Sequence, residues 1–279
     1  MTLNEYANFL LNSDKLEDKL YSPEKMPEDI LWPDFIPNDR PARDLKIQFS
    51  DKKIKMPRVE HLNQEENRVL SLHHFANHEL MAVELFAWAI LKFQNASASI
   101  RKSLYKTILE EQKHLRLYLD SIREWGMDLG DRPLNYIFWK QTPNMQTLQK
   151  FFAVMALSFE GANLDFSLLY QRAFQKFGDT KRADIMEIVH KDEIRHVKRG
   201  VKVVYSDGVS GIDQWEKYLE LLNHPFTPRR AKGFLYFPEL RIKAGFSAEF
   251  AEALGAYQDE YEGSTNARIV KNVLGMETI

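Results

Sequence analysis

Cysteine is absent from all 279 residues. That excludes a disulfide framework, thiolate zinc and iron–sulfur sites, and a cysteine nucleophile. Any metal must be held by His, Asp and Glu. An excess of either charge is lacking too, with Lys+Arg 38 against Asp+Glu 40, so overall electrostatics favour neither nucleic acid nor anionic membrane as the main partner. Long apolar runs are scarce. The first twenty residues carry Glu5, Asp14, Glu17 and Asp18, and the stretches near Phe86 and Phe151 fall short of the ~20 residues of a membrane span. A soluble, cytoplasmic chain without a membrane partner is expected. What is present is ample apolar material, 44% hydrophobic and 12% aromatic, enough for a folded core.

Proline is concentrated in one place. Pro23, Pro27, Pro33, Pro37, Pro41 and Pro57 crowd residues 21 to 60 and predict an extended arm laid over the surface. From about residue 62 the chain carries long stretches almost free of Gly and Pro. These predict four helices at 62–95, 98–126, 145–177 and 180–206. Asn95 to Ser99, Gly126 to Pro133, and Gly178 with Asp179 punctuate them, Gly suiting a helix end and Asp an N-cap. A further helix is expected at 212–223, and Ser247 as the cap of another running to about 260, followed by a mobile tail. The fold class is all-α: an N-terminal arm (1–60), a four-helix bundle (61–206) and a C-terminal helical extension (207–279).

Stepping along each helix by three and four exposes its core stripe. The first runs Val69, Leu72, Ala76, Glu79, Val83, Phe86, Ile90, and the second Leu104, Ile108, Glu111, Leu115, Tyr118, Ile122. The third runs Ala153, Ala156, Glu160, Leu164, Leu168, and the fourth Met186, Val189, Glu193, Val197, Gly200, Val204. Every stripe has a glutamate near its middle. Buried carboxylates facing one another are costly unless they take protons or share a cation.

Two of the four begin Glu-x-x-His: Glu111 with His114, and Glu193 with His196. Residues i and i+3 lie about 60° apart on a helix, so both side chains reach one ion. The halves also align as a repeat. Glu79 and Glu84 match Glu160 and Asp165, while Glu110 and Glu111 match Asp192 and Glu193. Glu79 precedes Glu111 by 32 residues and Glu160 precedes Glu193 by 33. Hairpins of equal reach place all six candidate ligands at one level, and four carboxylates balance two divalent ions. Glu187 with His190 repeats the motif, but Glu187 lies about 240° from Glu193 and off the stripe. Glu84 and Asp165 are expected in salt bridges or an outer ring around the ligands. A buried salt-bridge network of the same six residues is the alternative to a metal centre.

These residues resemble the ferritin-like di-metal carboxylate superfamily, in which two helices give one Glu each and two give Glu-x-x-His. HHFANHELMAVELFAWA (73–89), EEQKHL (110–115), LSFEGANLD (157–165) and KDEIRHVKRG (191–200) are more narrowly similar to an uncharacterised bacterial ferritin-like family known only as a domain of unknown function. NDRPARDL (38–45) and PRRAKGFLYFPELRIKAGF (228–246) extend the likeness over about 40 to 260. It implies a ferritin-like bundle with Glu79, Glu111, His114, Glu160, Glu193 and His196 as metal ligands. That family often has Asp where this chain has Glu110, which bears on the surroundings of the ligands rather than on the set.

Oxygen and nitrogen donors suit iron or manganese, in a di-iron or mixed iron/manganese site, with zinc an adventitious occupant. Two ferrous ions bind dioxygen and supply two electrons, so the expected activity is that of an oxidase or hydroxylase with an unknown substrate and electron donor. Phe86, Leu115, Leu164 and Val197 are expected to exclude water. Glu110 and Asp192, each just before a ligand glutamate, are candidates to orient the imidazoles or belong to the charged surface. His74 and His78, spaced i and i+4, are expected to find partners within the bundle rather than to form a second metal site. Tyr118, one turn after His114, has the spacing of the radical tyrosine of ribonucleotide reductase small subunits, or is a core aromatic. Arg229, Arg230, Lys232, Arg241 and Lys243 interleave with Phe234, Tyr236 and Phe237 and suit single-stranded nucleic acid, which raises an analogy with the tRNA hydroxylase MiaE, similar to this chain in its ferritin-like site, and with a modified-RNA substrate. The alternative is a lid with solvated arginines. A non-cage iron-handling protein, a metal-stabilised partner protein and a homodimeric assembly also stay open.

Overall fold

The computed structural model describes residues 1–52, 55–259 and 267–275. The chain is all-helical, with one isolated bridge between Phe49 and Leu134 as its only β pairing among the described residues. It divides into two compact units. The first comprises Met1–Pro57 with Glu65–Thr142, and the second Arg58–Gln64 with Pro143–Ile279.

The first unit opens with helix α1, Leu3–Asn12, and the short α2, Leu16–Lys19. These residues belong to the expected N-terminal arm (1–60), in which no helix is predicted. The Thr2 hydroxyl accepts from the Glu5 amide while the Glu5 carboxylate accepts from the Thr2 amide, a capping box that starts α1 before the first proline. Tyr6, Leu10 and Leu11 are buried. Lys19, also buried, donates to the Leu10 carbonyl at 2.6 Å and so closes the last turn of α1. The proline-rich stretch that follows is irregular, as expected, but it is bolted down. Arg101 forks onto Asp29 at 2.8 to 2.9 Å, and Gln112 donates to the carbonyls of Lys19 and Tyr21.

Helices α3, Glu65–Lys92, and α4, Ala98–Glu124, form the hairpin of this unit, with Ser97 capping α4. All seven residues of the first stripe and all six of the second are buried. Gly126 leaves α4 at φ +84°, the left-handed backbone that glycine tolerates. Gly130 has φ +92°, and a Cβ there would stand 2.1 Å from the Lys46 carbonyl oxygen, so glycine is required by both backbone and neighbour.

In the second unit the helix expected at 145–177 is broken into three windings: α5, Leu148–Phe152, a π-helical segment, Ala153–Glu160, and α6, Gly161–Lys176. Leu148–Lys176 is long and apolar enough to cross a membrane, contrary to the expectation that no stretch is, but 78% of its most apolar window is buried within the protein, as befits a core helix. Leu168 is half-buried where the stripe expects a core residue, and Leu169 is buried instead. Helix α7, Thr180–Val204, begins at Asp179, whose side chain accepts from the Arg182 amide. Its six stripe residues are buried. Gly200 allows α7 to approach the π-segment closely, for a Cβ there would meet the Ala156 Cβ at 2.3 Å.

Helices α8, Asp213–Leu221, α9, Pro238–Ala244, and α10, Ala248–Ala256, complete the unit with α11, Ala267–Leu274. Ser247 caps α10 as expected, accepting from the Phe250 amide at 3.1 Å. The expected tail is helical over 267–274, with Val270 buried; the remainder of that expectation lies outside the described residues.

Candidate metal centre

In the first unit Glu79 stands on α3 and Glu111 and His114 on α4. His114 Nδ1 lies 3.3 Å from Glu111 Oε2 and 3.7 Å from Glu79 Oε2. The imidazole is 0% exposed and the carboxylates 1% and 6%. Burial, reinforced by the neighbouring Glu111 carboxylate, pushes the Glu79 pKa well above the carboxylate range. Without a cation this side chain therefore tends to hold a proton.

The second unit repeats the arrangement. Glu160 ends the π-segment, and Glu193 and His196 stand on α7. His196 Nδ1 lies 3.8 Å from Glu160 Oε1 and 3.6 Å from Glu193 Oε2. Asn163 donates to Glu193 Oε1 at 2.8 Å, while the buried Glu193 Oε2 has no hydrogen-bond partner.

Several of these separations are too long for a good hydrogen bond. They approach the spacing of two donors on one ion, since ligands each about 2.1 Å from a metal stand roughly 3 to 3.5 Å apart. The unpartnered oxygen of Glu193 is the kind of group a cation satisfies. All six residues belong to buried Glu and His groups that could hold a metal ion. The donor set is oxygen and imidazole nitrogen, which fits iron, manganese or zinc and leaves the metal's identity open.

The carboxylates one turn beyond each solitary glutamate are fixed by cations. Glu84 accepts from Arg43 Nε at 2.9 Å and Nη2 at 2.8 Å and from Trp139 Nε1 at 3.2 Å, with Lys19 Nζ at 3.4 Å. Asp165 is gripped by Arg241 and accepts from the amides of Gly233 and Phe237. Burial pushes the Asp165 pKa up, and Arg241 pulls against it. These are the salt bridges expected for Glu84 and Asp165. Their partners were not legible. Arg241 belongs to the segment expected to present solvated arginines, yet it is 1% exposed. Arg230 and Lys243 are exposed, Lys232 donates to the carbonyls of Gly255 and Tyr257, and Phe237 and Leu235 are buried.

The remaining candidates divide. Phe86, Leu115, Leu164 and Val197 are buried. Tyr118 is buried on α4 with its ring 5.9 Å from that of Phe75. Asp192 is buried and ion-paired with Arg195, while Glu110 is half-buried. Glu187 pairs with Lys191 on the outer face of α7, and His190 with the Ser167 hydroxyl, so this second Glu-x-x-His is occupied elsewhere. His74 and His78 place their rings 4.3 Å apart, and His78 rests on Phe138. Burial lowers the pKa of His74 to about 4 and that of His78 well below the usual imidazole value. Burial favours the neutral form of both, and His78 Nε2 has no hydrogen-bond partner, so the expectation of satisfied core histidines fails at that atom.

The chain belongs to the family described as "Protein of unknown function (DUF455)", whose model matches residues 11–252. The match begins at the end of α1, well before the residue 40 expected. No curated protein and no solved structure matches the chain.

Proposed function

We propose that this DUF455 chain is an oxygen-activating oxidoreductase whose α3, α4, Leu148–Lys176 run and α7 act as a ferritin-like four-helix scaffold for two iron ions. The observation that carries the reading is the repeated trio: a solitary Glu and a Glu-x-x-His, buried, with both imidazole nitrogens 3.3 to 3.8 Å from two carboxylates. Glu79, Glu111 and His114 would hold one ion, and Glu160, Glu193 and His196 the other. Ferrous iron held by these residues would supply electrons to dioxygen. The four carboxylates offset the charge of two divalent cations, which releases Glu79 from its need for a proton. Glu84 with Arg43 and Asp165 with Arg241 brace the two helices that carry the solitary ligands. Phe86, Leu115, Leu164 and Val197 keep bulk water from the reacting groups. Manganese in one or both positions fits the same donors.

Anaerobic loading with ferrous iron followed by oxygen tests this. The expected result is uptake of two ions per chain, rapid oxygen consumption per two ferrous ions, and no cage-sized particle on gel filtration. Absence of uptake from protein grown with iron and reconstituted anaerobically overturns it.

A further inference from the structure

Glu160 is the last residue of a π-helical segment, Ala153–Glu160. π-Helix is rare and occurs mostly as single turns within α-helices, so groups outside the segment are needed to favour it. Two such groups come from the chain after α7.

Ser158 Oγ donates to the Ala153 carbonyl, five residues back, at 2.7 Å and lies 2.6 Å from Tyr218 Oη. A serine hydroxyl has a single proton to give. With that proton on Ala153, the phenol is the donor to Ser158. Tyr218 is fully buried and its pKa is pushed up by that burial, so the phenol keeps its proton. A relay thus runs from Tyr218 on α8 through Ser158 to the backbone of the segment. At the other end, the Gly161 amide donates to the Ala156 carbonyl, again five residues back, while Arg241 Nη2 donates to the Gly161 carbonyl at 2.9 Å. Arg241 is itself anchored on Asp165 and on the Ala231 carbonyl, at 2.7 Å in each case.

We propose that Tyr218 and Arg241 are positioning residues that clasp Ala153–Glu160 in π register and so fix the Glu160 carboxylate beside Glu193 and His196. The role rests on the reading of that trio as metal ligands. Each residue turns an α-helix by about 100°, so rewinding the segment as α-helix changes the direction in which its side chains point relative to α6. The extension after α7 is then part of the ligand-setting machinery rather than an appendage.

Tyr218→Phe removes one oxygen and leaves the ring in place, and Ser158→Ala removes the other half of the relay. Two readouts on the full chain separate the clasp from the metal reading. The first is hydrogen exchange of the metal-free protein: Tyr218→Phe should speed exchange of the 153–161 amides about tenfold while leaving the α4 amides unchanged. The second is equilibrium titration with manganous ion, with Glu160→Gln as the reference for losing the second-unit site. There Tyr218→Phe should weaken one of two ions 10- to 100-fold, the range found when a group supporting a metal ligand is removed, and leave the other at wild-type affinity. Because tyrosine acts only through serine, the double variant should lose no more than Ser158→Ala alone. Unchanged exchange at 153–161 overturns the clasp whether or not metal binds. Faster exchange with both ions at wild-type affinity overturns its role in setting Glu160. Wild-type protein that takes up no ion refutes the metal reading and with it the ligand-setting role, while the exchange result still decides the clasp itself.

Discussion

Arg241 forks onto Asp165 with both side chains 1% exposed, joining α9 to α6 across 76 residues of sequence. Removing one partner of a buried pair strands the other charge, at a cost of about 3 to 5 kcal/mol. Arg241→Met should destabilise the chain by about that amount in urea unfolding, whereas Arg241→Met with Asp165→Leu should recover most of the loss. A double variant as weak as the single one would place the cost in the Gly161 and Ala231 carbonyls that Arg241 also serves and in the Gly233 and Phe237 amides that Asp165 serves.

Gly200 faces Ala156 with no room for a methyl group, since the Cβ atoms would stand 2.3 Å apart. Gly200→Ala should therefore destabilise by about 1 to 3 kcal/mol, the usual cost of overpacking. Adding Ala156→Gly removes the clash and should restore most of it. Failure of the second change to rescue the first would mean that the cost lies in Leu157, whose Cδ1 is the next atom met, at 3.0 Å.

How far the sequence reads into this structure depends on the range of each pattern. The stripes of α3, α4 and α7 are legible because 3.6-residue periodicity is local, and every residue named on those stripes is buried. Glu79, Glu111 and Glu193 follow, for a glutamate in the middle of such a stripe has no surface explanation; His114 and His196 come from the Glu-x-x-His spacing, and Glu160 from the repeat that matches it to Glu79. Helix α1 was legible too, since Thr2 and Glu5 spell a capping box, but the prolines from Pro23 onward drew the whole segment into an arm. The π-winding before Glu160 has no such signature: almost every residue from Phe151 to Leu157 is apolar and buried, so no phase is visible. Arg43, Lys19, Trp139, Arg241 and Tyr218 were missed because each acts on a residue dozens of positions away, and ordinary charge or aromaticity does not reveal such a partner.

His73 gives the fold an acid-side weakness. Its Nε2 accepts from the Gly130 amide at 3.2 Å, and burial lowers its pKa to about 4. The unfolded chain binds the proton near pH 6.5, the folded chain only near 4. The stabilising contribution is thus full above pH 6.5 and lost as pH falls to about 4, roughly 3 kcal/mol in all at 1.36 kcal/mol per unit. His73→Gln should flatten this part of the stability profile in urea titrations between pH 7 and 4. A slope equal to wild type would assign the acid sensitivity to His74 and His78 instead.

Metal and stability should be coupled. A ligand bound only by the folded state stabilises it by about 4 kcal/mol at a thousandfold excess over Kd. Chelation of iron-loaded protein should lower Tm by several degrees, and Glu160→Ala or His196→Ala should bind at least one ion fewer with a smaller shift on chelation. An unchanged melt after verified metal removal would favour the alternative of six residues in a protonated or salt-bridged network.

Tyr118 is buried one turn beyond His114, its ring against Phe75. Side chains at i and i+4 share a helix face, so Tyr118 stands on the same face of α4 as His114. Tyr118→Phe keeps the ring and its packing, so two ions should still bind and Tm should change little. The decay of the coloured oxygenated protein should change, and electron paramagnetic resonance decides the cause, a tyrosyl signal in wild type that is lost in the variant assigning the oxidised residue to Tyr118. Identical spectra and decay in the two proteins would leave Tyr118 with packing alone, and a signal that persists in Tyr118→Phe would move the oxidised residue elsewhere.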